Sequence, residues 1–366
     1  DKADKLLLAE KESGTKFAPI KDSSENVFIV SQSFQLTPDE AIYGLGQHQK
    51  GSMNQRNQKL TLKQQNMQIA IPYFYSTNGY GLFWDNTSST IFLDKPESTS
   101  FESEIGPCVD YYFLRSDDAY KGLVAWRGLT GEAPMYPRWL FGYWQSRERY
   151  KGQNELIGVI KKYRKLKVPL DGIVQDWQYW GEDNKLWNST EFGNPMFPNP
   201  KNMIDSVHAL NAHIMISVWP SFGKNTKIFN EMKQGGMLFD IITWPMTPDV
   251  QVFDPFNPKA RDIYWRYMNQ NIFSLGMDGW WLDATEPEQM NKKSSGNEIK
   301  TYLVIMLSLY KLPMAFTNTS AKKHPIKECL SSPVQLLQVN NEMQPLVGRV
   351  ISNRAGKYCR PKLQTG

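Results

Sequence analysis

Residues 279–283 read GWWLD, a short apolar run that ends on a carboxylate. Two upstream stretches have the same form: residues 173–176 read IVQD, and residues 214–219 read IMISVW. Apolar runs of this length predict buried strands. Each run ends on an aspartate or a tryptophan, which places polar or aromatic chemistry at the end of three successive predicted strands.

Amphipathic helical patterns lie between these runs, and strands that alternate with helices imply a parallel sheet. Large loops follow the strands, which favours a TIM-type barrel over an open sheet. Four β/α units are about half of such a barrel. The predicted order is strand 139–145, helix 153–166, strand 171–177, helix 201–210, strand 214–219, helix 259–275 and strand 279–283.

The first 133 residues have a different pattern, in which short apolar runs are separated by Gly, Asn, Asp, Ser and Pro. This pattern is typical of antiparallel strands in a sandwich. The runs are residues 27–30, 68–75, 80–83 and 90–92. We therefore predict an all-β sandwich over residues 1–133, the first half of a (β/α)8 TIM-type barrel over 134–290, and a separate tail over 291–366.

The charge of the chain is unevenly distributed over its 366 residues. The tail, residues 291–366, holds 12 Lys and Arg and 3 Glu, which leaves 30 basic and 34 acidic residues in 1–290. A basic tail usually indicates nucleic acid as a partner, but these charges are scattered among apolar runs, so we expect none. The chain contains no run of eighteen apolar residues, so no membrane span is predicted. It has three cysteines but no CxxC pair, so no zinc site is predicted.

The strand ends suggest carbohydrate chemistry, because the active face of a β/α barrel is formed by the carboxyl ends of its strands. Indole rings stack on sugar rings, and carboxylates accept hydrogen bonds from hydroxyls or attack an anomeric carbon. An aspartate after a strand is more often a turn or capping residue, and a tryptophan is often core. Asp176, Trp219 and Asp283 at three successive strand ends are harder to explain in that way.

At these motifs the sequence resembles glycoside hydrolase family 31, the retaining α-glucosidases and α-xylosidases. The resemblance runs from residues 43–46, YGLG, through residues 137–146, PRWLFGYWQS, to the Asp283 motif. It implies a β-sandwich followed by a β/α barrel. By this resemblance Asp283 is the catalytic nucleophile, Asp176 binds hydroxyls of the −1 sugar, and Trp219 and Trp281 are walls of that pocket.

The implied reaction is a double displacement on an oligosaccharide or glycoside, in which a second carboxylate about 5–5.5 Å from the nucleophile protonates the leaving oxygen. It needs no cofactor or metal. The sequence after Trp281, LDATEP, looks more like the α-xylosidases than the animal α-glucosidases, which carry Asp-Met-Asn-Glu there. The short segment 85–112 lacks an insert that some xyloglucan-active members carry. Terminal xylose and terminal glucose both remain open, and Glu286 is given no direct role.

The resemblance stops after the nucleophile motif, and the tail has no family-like fold. The family's acid/base aspartate lies in a Trp-Ser-Gly-Asp stretch, whereas no aspartate follows Asp283. When the codons of residues 328–351 are read in a shifted frame, their degeneracy permits VFILTRSAFAGQQRNAATSWSGD, which is family-like. We infer that the chain leaves the family frame between residue 288 and about residue 300.

The frame break would leave a nucleophile without its acid/base partner and four barrel strands missing. We expect the chain as written to be insoluble or inactive, and the enzyme in the restored frame to be active. The alternative is a catalytically inactive carbohydrate-binding remnant. The sequence leaves the compartment open: periplasmic or extracellular if an export signal precedes residue 1, otherwise cytoplasmic. The oligomeric state stays open as well.

Overall fold

The computed structural model describes residues 6–20, 27–65, 67–116, 118–131, 133, 135–239, 244–255 and 257–284, and the backbone of 347–352. It forms two compact units. The first comprises Asp1–Ala133 together with Lys327–Gly366, and the second comprises Pro134–Ile326.

The first unit is built from antiparallel strands, as its short apolar runs predict. It also contains a helix, which the all-β prediction for residues 1–133 missed. The helix α1 (Ala119–Thr130) begins at Asp118, whose side chain accepts a hydrogen bond from the Lys121 amide at 2.8 Å. The strands are β1 (Ala9–Glu10), β2 (Lys16–Pro19), β3 (Phe28–Gln35), β4 (Ile42–Gln47), β5 (Lys59–Leu62), β6 (Ile69–Ser76), β7 (Tyr80–Trp84), β8 (Thr90–Lys95), β9 (Ser98–Gly106) and β10 (Val109–Arg115).

These strands form two sheets. One has the order β1-β3-β9-β8-β5, with β2 paired to β3, and the other contains β10-β7-β6-β4. Large aromatic side chains fill the core: the Phe101 ring stacks on Trp84 at 5.4 Å and on Phe74 at 6.2 Å between ring centroids. All three are fully buried.

The second unit alternates parallel strands with helices. Its elements are β11 (Trp144–Gln145), α2 (Gln153–Lys165), β12 (Gly172–Gln175), α3 (Pro200–Ala209), β13 (His213–Val218), β14 (Ser221–Gly223), α4 (Lys227–Gln234), β15 (Val250–Val252), α5 (Pro258–Asn271) and β16 (Gly279–Leu282). The strands β11-β12-β13-β16 form one parallel sheet in that order. Apolar faces of α2 and α3, including Leu156, Ile160 and Val207, are completely buried in one core with Ile214 and Ile216.

One prediction for this unit was wrong in detail, and three elements were missed. The first strand was expected over residues 139–145, but only Trp144–Gln145 pairs, because Arg138–Phe141 forms a 3₁₀ turn. In that turn the Leu140 and Gly142 amides bond to carbonyls three residues earlier, at 3.1 and 3.2 Å, and so make no ladder bonds. The sequence pattern also missed α4 and the antiparallel pair β14–β15, which follow the third strand.

One strand comes from the tail, where none was predicted. The backbone of β17 (Val347–Ser352) pairs antiparallel with β10 along six residues. An edge strand presents unpaired N–H and C=O groups, which a further strand can satisfy. The rest of the tail lies outside the described residues.

The register of β13 against β16 is fixed at their amino ends by Asp278. Its Oδ2 accepts a hydrogen bond from the Ile214 amide at 2.9 Å, while its own amide donates to the Ile214 carbonyl at 3.1 Å. His208 Nε2 lies 2.8 Å from Oδ2, and His213 Nδ1 lies 3.3 Å from Oδ1. This cluster therefore ties α3, β13 and β16 together.

Within the described ranges, no helix is long and apolar enough to cross a membrane. The same residues contain no group of three or more His, Cys, Asp or Glu side chains that could hold a metal ion.

Candidate active site

Asp176 directly follows β12 and is 6% exposed. Its Oδ1 accepts a hydrogen bond from the Trp177 amide at 2.7 Å. Burial raises the pKa of the Asp176 carboxyl above its ordinary value, and the Trp177 amide and the Ser217 hydroxyl partly offset this. The Ser217 hydroxyl lies near enough to the carboxylate to lower its pKa, although the two groups do not have the geometry of a hydrogen bond.

Asp283 directly follows β16, as Asp176 directly follows β12. Its amide donates to the Val218 carbonyl at 3.0 Å, which continues the β13–β16 pairing past the end of the strands. Its Oδ1 accepts a hydrogen bond from the amide of the next residue, Ala284, at 2.8 Å. Ala284 has a positive φ of 50°. Both aspartates are thus held by the amide that follows them in the chain.

The strand register places the predicted site residues in two neighbouring rows. Ser217 pairs with Trp281, and Asp176 stands one residue beyond the last paired residue of β12, level with Ser217. Two positions farther on, Trp219 and Asp283 are level, one residue beyond Val218 and its partner. Because residues i and i+2 of a strand share a face, all five belong to one face at the carboxyl edge of the sheet.

The two tryptophans differ in exposure. Trp219 is 8% exposed, and its ring meets Trp187 edge-on with centroids 4.8 Å apart. Its indole N–H has no hydrogen-bond partner among the described residues. Trp281 is 38% exposed. Trp219 is therefore a rigid, packed wall, whereas Trp281 offers an open aromatic surface.

Sequence reasoning missed several neighbours of Asp176. Glu148 and Arg149 lie in the loop after β11, and the charge of Glu148 raises the pKa of Asp176 while that of Arg149 lowers it. Gln175 is fully buried and donates to the carbonyls of Tyr150 and Asp176, at 3.2 and 3.0 Å. A polar residue inside an apolar strand run, as at Gln175 and Ser217, is the signal that could have identified two of them.

The arrangement combines two carboxylates with exposed and buried indole faces on one edge of a parallel sheet. Such a site is suited to binding a sugar and attacking its anomeric carbon. Glu286 lies outside the described residues.

Two family models match the chain. The glycosyl hydrolases family 31 TIM-barrel domain matches residues 133–325, and the glycosyl hydrolase 31 N-terminal galactose mutarotase-like domain matches residues 1–92. Among curated proteins, the chain is 38% identical over 272 residues to an α-xylosidase of Saccharolobus solfataricus, covering 72% of this chain and 36% of the relative. It is 27% identical over 291 residues to α-xylosidase A of Aspergillus niger, covering 75% of this chain and 38% of that protein.

Solved structures of family 31 α-xylosidases are also similar to this chain. A family 31 α-xylosidase from Xanthomonas citri superposes with a TM-score of 0.76 at 26% identity, covering 87% of this chain and 52% of that one. A family 31 α-xylosidase from a soil metagenome, complexed with xylose, superposes with a TM-score of 0.73 at 26% identity, covering 85% and 46%. The chain thus spans between about a third and about half of the length of these relatives.

Proposed function

The chain belongs to glycoside hydrolase family 31, and we propose that it is part of a retaining, exo-acting α-glycosidase. Its substrate would be an oligosaccharide or glycoside with a terminal α-linked xylose or glucose. The observation that carries this proposal is the register at the carboxyl edge of the sheet, which puts Asp176, Trp281, Trp219 and Asp283 in two adjacent rows on one face.

In this proposal Asp283 is the nucleophile. A carboxylate oxygen attacks the anomeric carbon, and the glycosidic C–O bond breaks as the leaving oxygen takes a proton from the acid/base carboxylate, which the restored frame would supply. Water later hydrolyses the glycosyl ester with retention of configuration. The Ala284 amide donates a hydrogen bond to one oxygen of the Asp283 carboxylate, at 2.8 Å. The hydrogen bond from the Asp283 amide to the Val218 carbonyl supports a fixed backbone position for the attacking group.

Asp176 would accept hydrogen bonds from hydroxyls of the −1 sugar. Its Oδ1 already receives the Trp177 amide, so its remaining lone pairs are the ones available to a substrate. Trp219 and Trp281 would supply the aromatic walls on which the C–H faces of the sugar pack.

The tail limits what the chain as written could do. We propose the domain limits 1–133, 134–290 and 291–366, with the last segment translated out of the family frame. The match of the barrel family model reaches residue 325, beyond the proposed break at 288–300, so the DNA sequence there decides where the family frame ends.

The test of the proposed function is turnover by the enzyme in the restored frame. We expect hydrolysis of nitrophenyl α-xyloside or nitrophenyl α-glucoside, with the product released first as the α-anomer in a proton NMR time course. Initial release of the β-anomer, or no hydrolysis of either substrate by a soluble folded enzyme, would contradict the proposal. Sugar binding without hydrolysis would instead support a carbohydrate-binding remnant.

A further inference from the structure

The loop between β11 and α2 carries two arginines that face different partners. Arg147 Nη1 lies 3.0 Å from Glu155 Oε1 on α2, and both side chains are exposed. The guanidinium of Arg149 instead lies over the Trp177 ring, with Cζ 4.9 Å from the ring centroid. Only a quarter of the Arg149 side chain is exposed. The two arginines therefore belong to different surroundings despite their proximity in sequence.

The backbone of Arg149 is unusual for a residue with a side chain. Its φ is 39°, which lies in the left-handed region that non-glycine residues rarely adopt. Among the described residues its guanidinium makes no hydrogen bond, and its one ion-pair partner is Glu148, at the long distance of 4.0 Å. The Arg149 side chain is thus held against an indole without a hydrogen bond to another described residue.

Trp177 connects Arg149 to the site. The backbone amide of Trp177 donates to Asp176 Oδ1 at 2.7 Å, and its ring is packed against Trp187 with centroids 5.5 Å apart. A guanidinium over an indole face is attracted to it, so Arg149 restrains the Trp177 ring in addition to Trp187. Restraining the ring restrains the amide that orients the carboxylate.

We propose that Arg149 is a positioning residue for the Asp176 carboxylate, acting through Trp177, and that Glu148 opposes it. This inference rests on the proposed role of Asp176 in binding sugar hydroxyls. Arg149 acts on Asp176 in two ways: it holds Trp177 in place, and its positive charge favours the ionised carboxylate that accepts hydrogen bonds.

The groups around Asp176 come from several elements. The loop after β11 contributes Glu148 and Arg149, and β13 contributes the Ser217 hydroxyl. Trp177 contributes its amide. The carboxylate of Asp283 follows β16, two strands away in the same sheet. Of the two charged loop residues, Glu148 raises the pKa of Asp176 and Arg149 lowers it, so their removal has opposite effects.

The test uses the 366-residue chain, refolded if it is recovered insoluble, with aspartate side-chain carboxyls labelled with ¹³C. The Asp176 signal is assigned from its loss in Asp176→Asn and titrated without sugar. We expect Arg149→Met to raise the titration midpoint, Glu148→Gln to lower it, and Arg149→Lys to stay near the parent value. Arg147→Met is the matched control, and it should leave the midpoint unchanged.

Sugar affinity provides a second readout, from tryptophan fluorescence with xylose and glucose at pH 7. We expect Arg149→Met to weaken binding by about two- to fivefold, the effect of losing a partly exposed cation–π contact. Opposite midpoint shifts, together with no hydrolysis by a folded restored-frame enzyme, would reject the proposed function and keep the link between Arg149 and Asp176.

Two results would overturn the inference. One is an unchanged midpoint in folded Arg149→Met, and the other is a shift of the same sign in Arg149→Met and Glu148→Gln. If Arg149→Met does not fold, the test depends on Glu148→Gln, which changes an exposed side chain. A titration midpoint of Asp176 that does not fall in Glu148→Gln would then reject the proposal that Glu148 opposes Arg149.

Discussion

The backbone amide of Asp283 donates a hydrogen bond to the carbonyl oxygen of Val218 across 3.0 Å. This bond extends the β13–β16 pairing beyond the last strand residues and makes Asp283 level with Trp219. The position of the proposed nucleophile is therefore set by a backbone ladder rather than by a flexible loop, and ladder geometry is more rigid than loop geometry.

Removing the nucleophile should abolish turnover in the restored-frame enzyme. We expect Asp283→Asn to lower kcat by about 10⁴-fold or more, because the covalent step has no other carboxylate at that position. Steady-state kinetics with nitrophenyl α-xyloside measure this. Asp262→Asn, an exposed aspartate on α5, is the control and should retain activity. Full activity of Asp283→Asn would remove the residue from the mechanism.

Asp176→Asn should stabilise the fold while harming function. The pKa of Asp176 is raised in the folded state above its ordinary 3.8. At pH values between the unfolded-state and folded-state pKa, the folded chain therefore keeps a proton that the unfolded chain has lost. Stability due to this group therefore falls as pH rises through that window. We expect Asp176→Asn to raise Tm at pH 7, with a gain that shrinks as pH falls below the window. A Tm gain independent of pH would contradict this.

The Asp278 cluster should be important for stability because it fixes the β13–β16 register. Asp278→Ala leaves the Ile214 amide without its acceptor, a loss worth about 1–3 kcal/mol. Urea unfolding of the chain measures it. Asp205→Ala removes an exposed aspartate paired with Lys201 on α3, and it should cost under about 1 kcal/mol. A cost for Asp278→Ala under about 1 kcal/mol, no larger than that of Asp205→Ala, would show that the cluster is dispensable.

The proposed frame break makes a prediction about the gene. Sequencing the DNA across codons 288–300 should reveal a one- or two-base insertion or deletion whose correction restores an aspartate in a Trp-Ser-Gly-Asp context. An intact frame without a plausible error would refute it, and residues 291–366 would then need an account of their own.

Much of the second unit could be predicted because its signals are local. The helices α2, α3 and α5 have amphipathic faces, and the apolar runs of β12, β13 and β16 are short and bounded by polar residues. The aspartates at the ends of β12 and β16 were found for the same reason. The 3₁₀ turn at Arg138–Phe141 could not be predicted, since its apolar residues read equally well as a strand.

The surroundings of Asp176 were less predictable because they depend on tertiary contacts. Arg149 has a left-handed backbone conformation and lies over Trp177, and no pattern in the sequence indicates either feature. The strand β17 pairs with β10 across more than two hundred residues of sequence. Long-range strand pairing of this kind has no local periodic signal.

Covalent trapping tests the central claim most directly. A xylosyl fluoride with a second fluorine at C5 has a leaving group that needs little protonation, while the second fluorine slows hydrolysis of the glycosyl ester. With the restored-frame enzyme, mass spectrometry of the digested protein should find one fluoroxylosyl group on the peptide that contains Asp283, and none in Asp283→Asn. Labelling of a different carboxylate, with Asp283 unmodified in an active enzyme, would contradict the account.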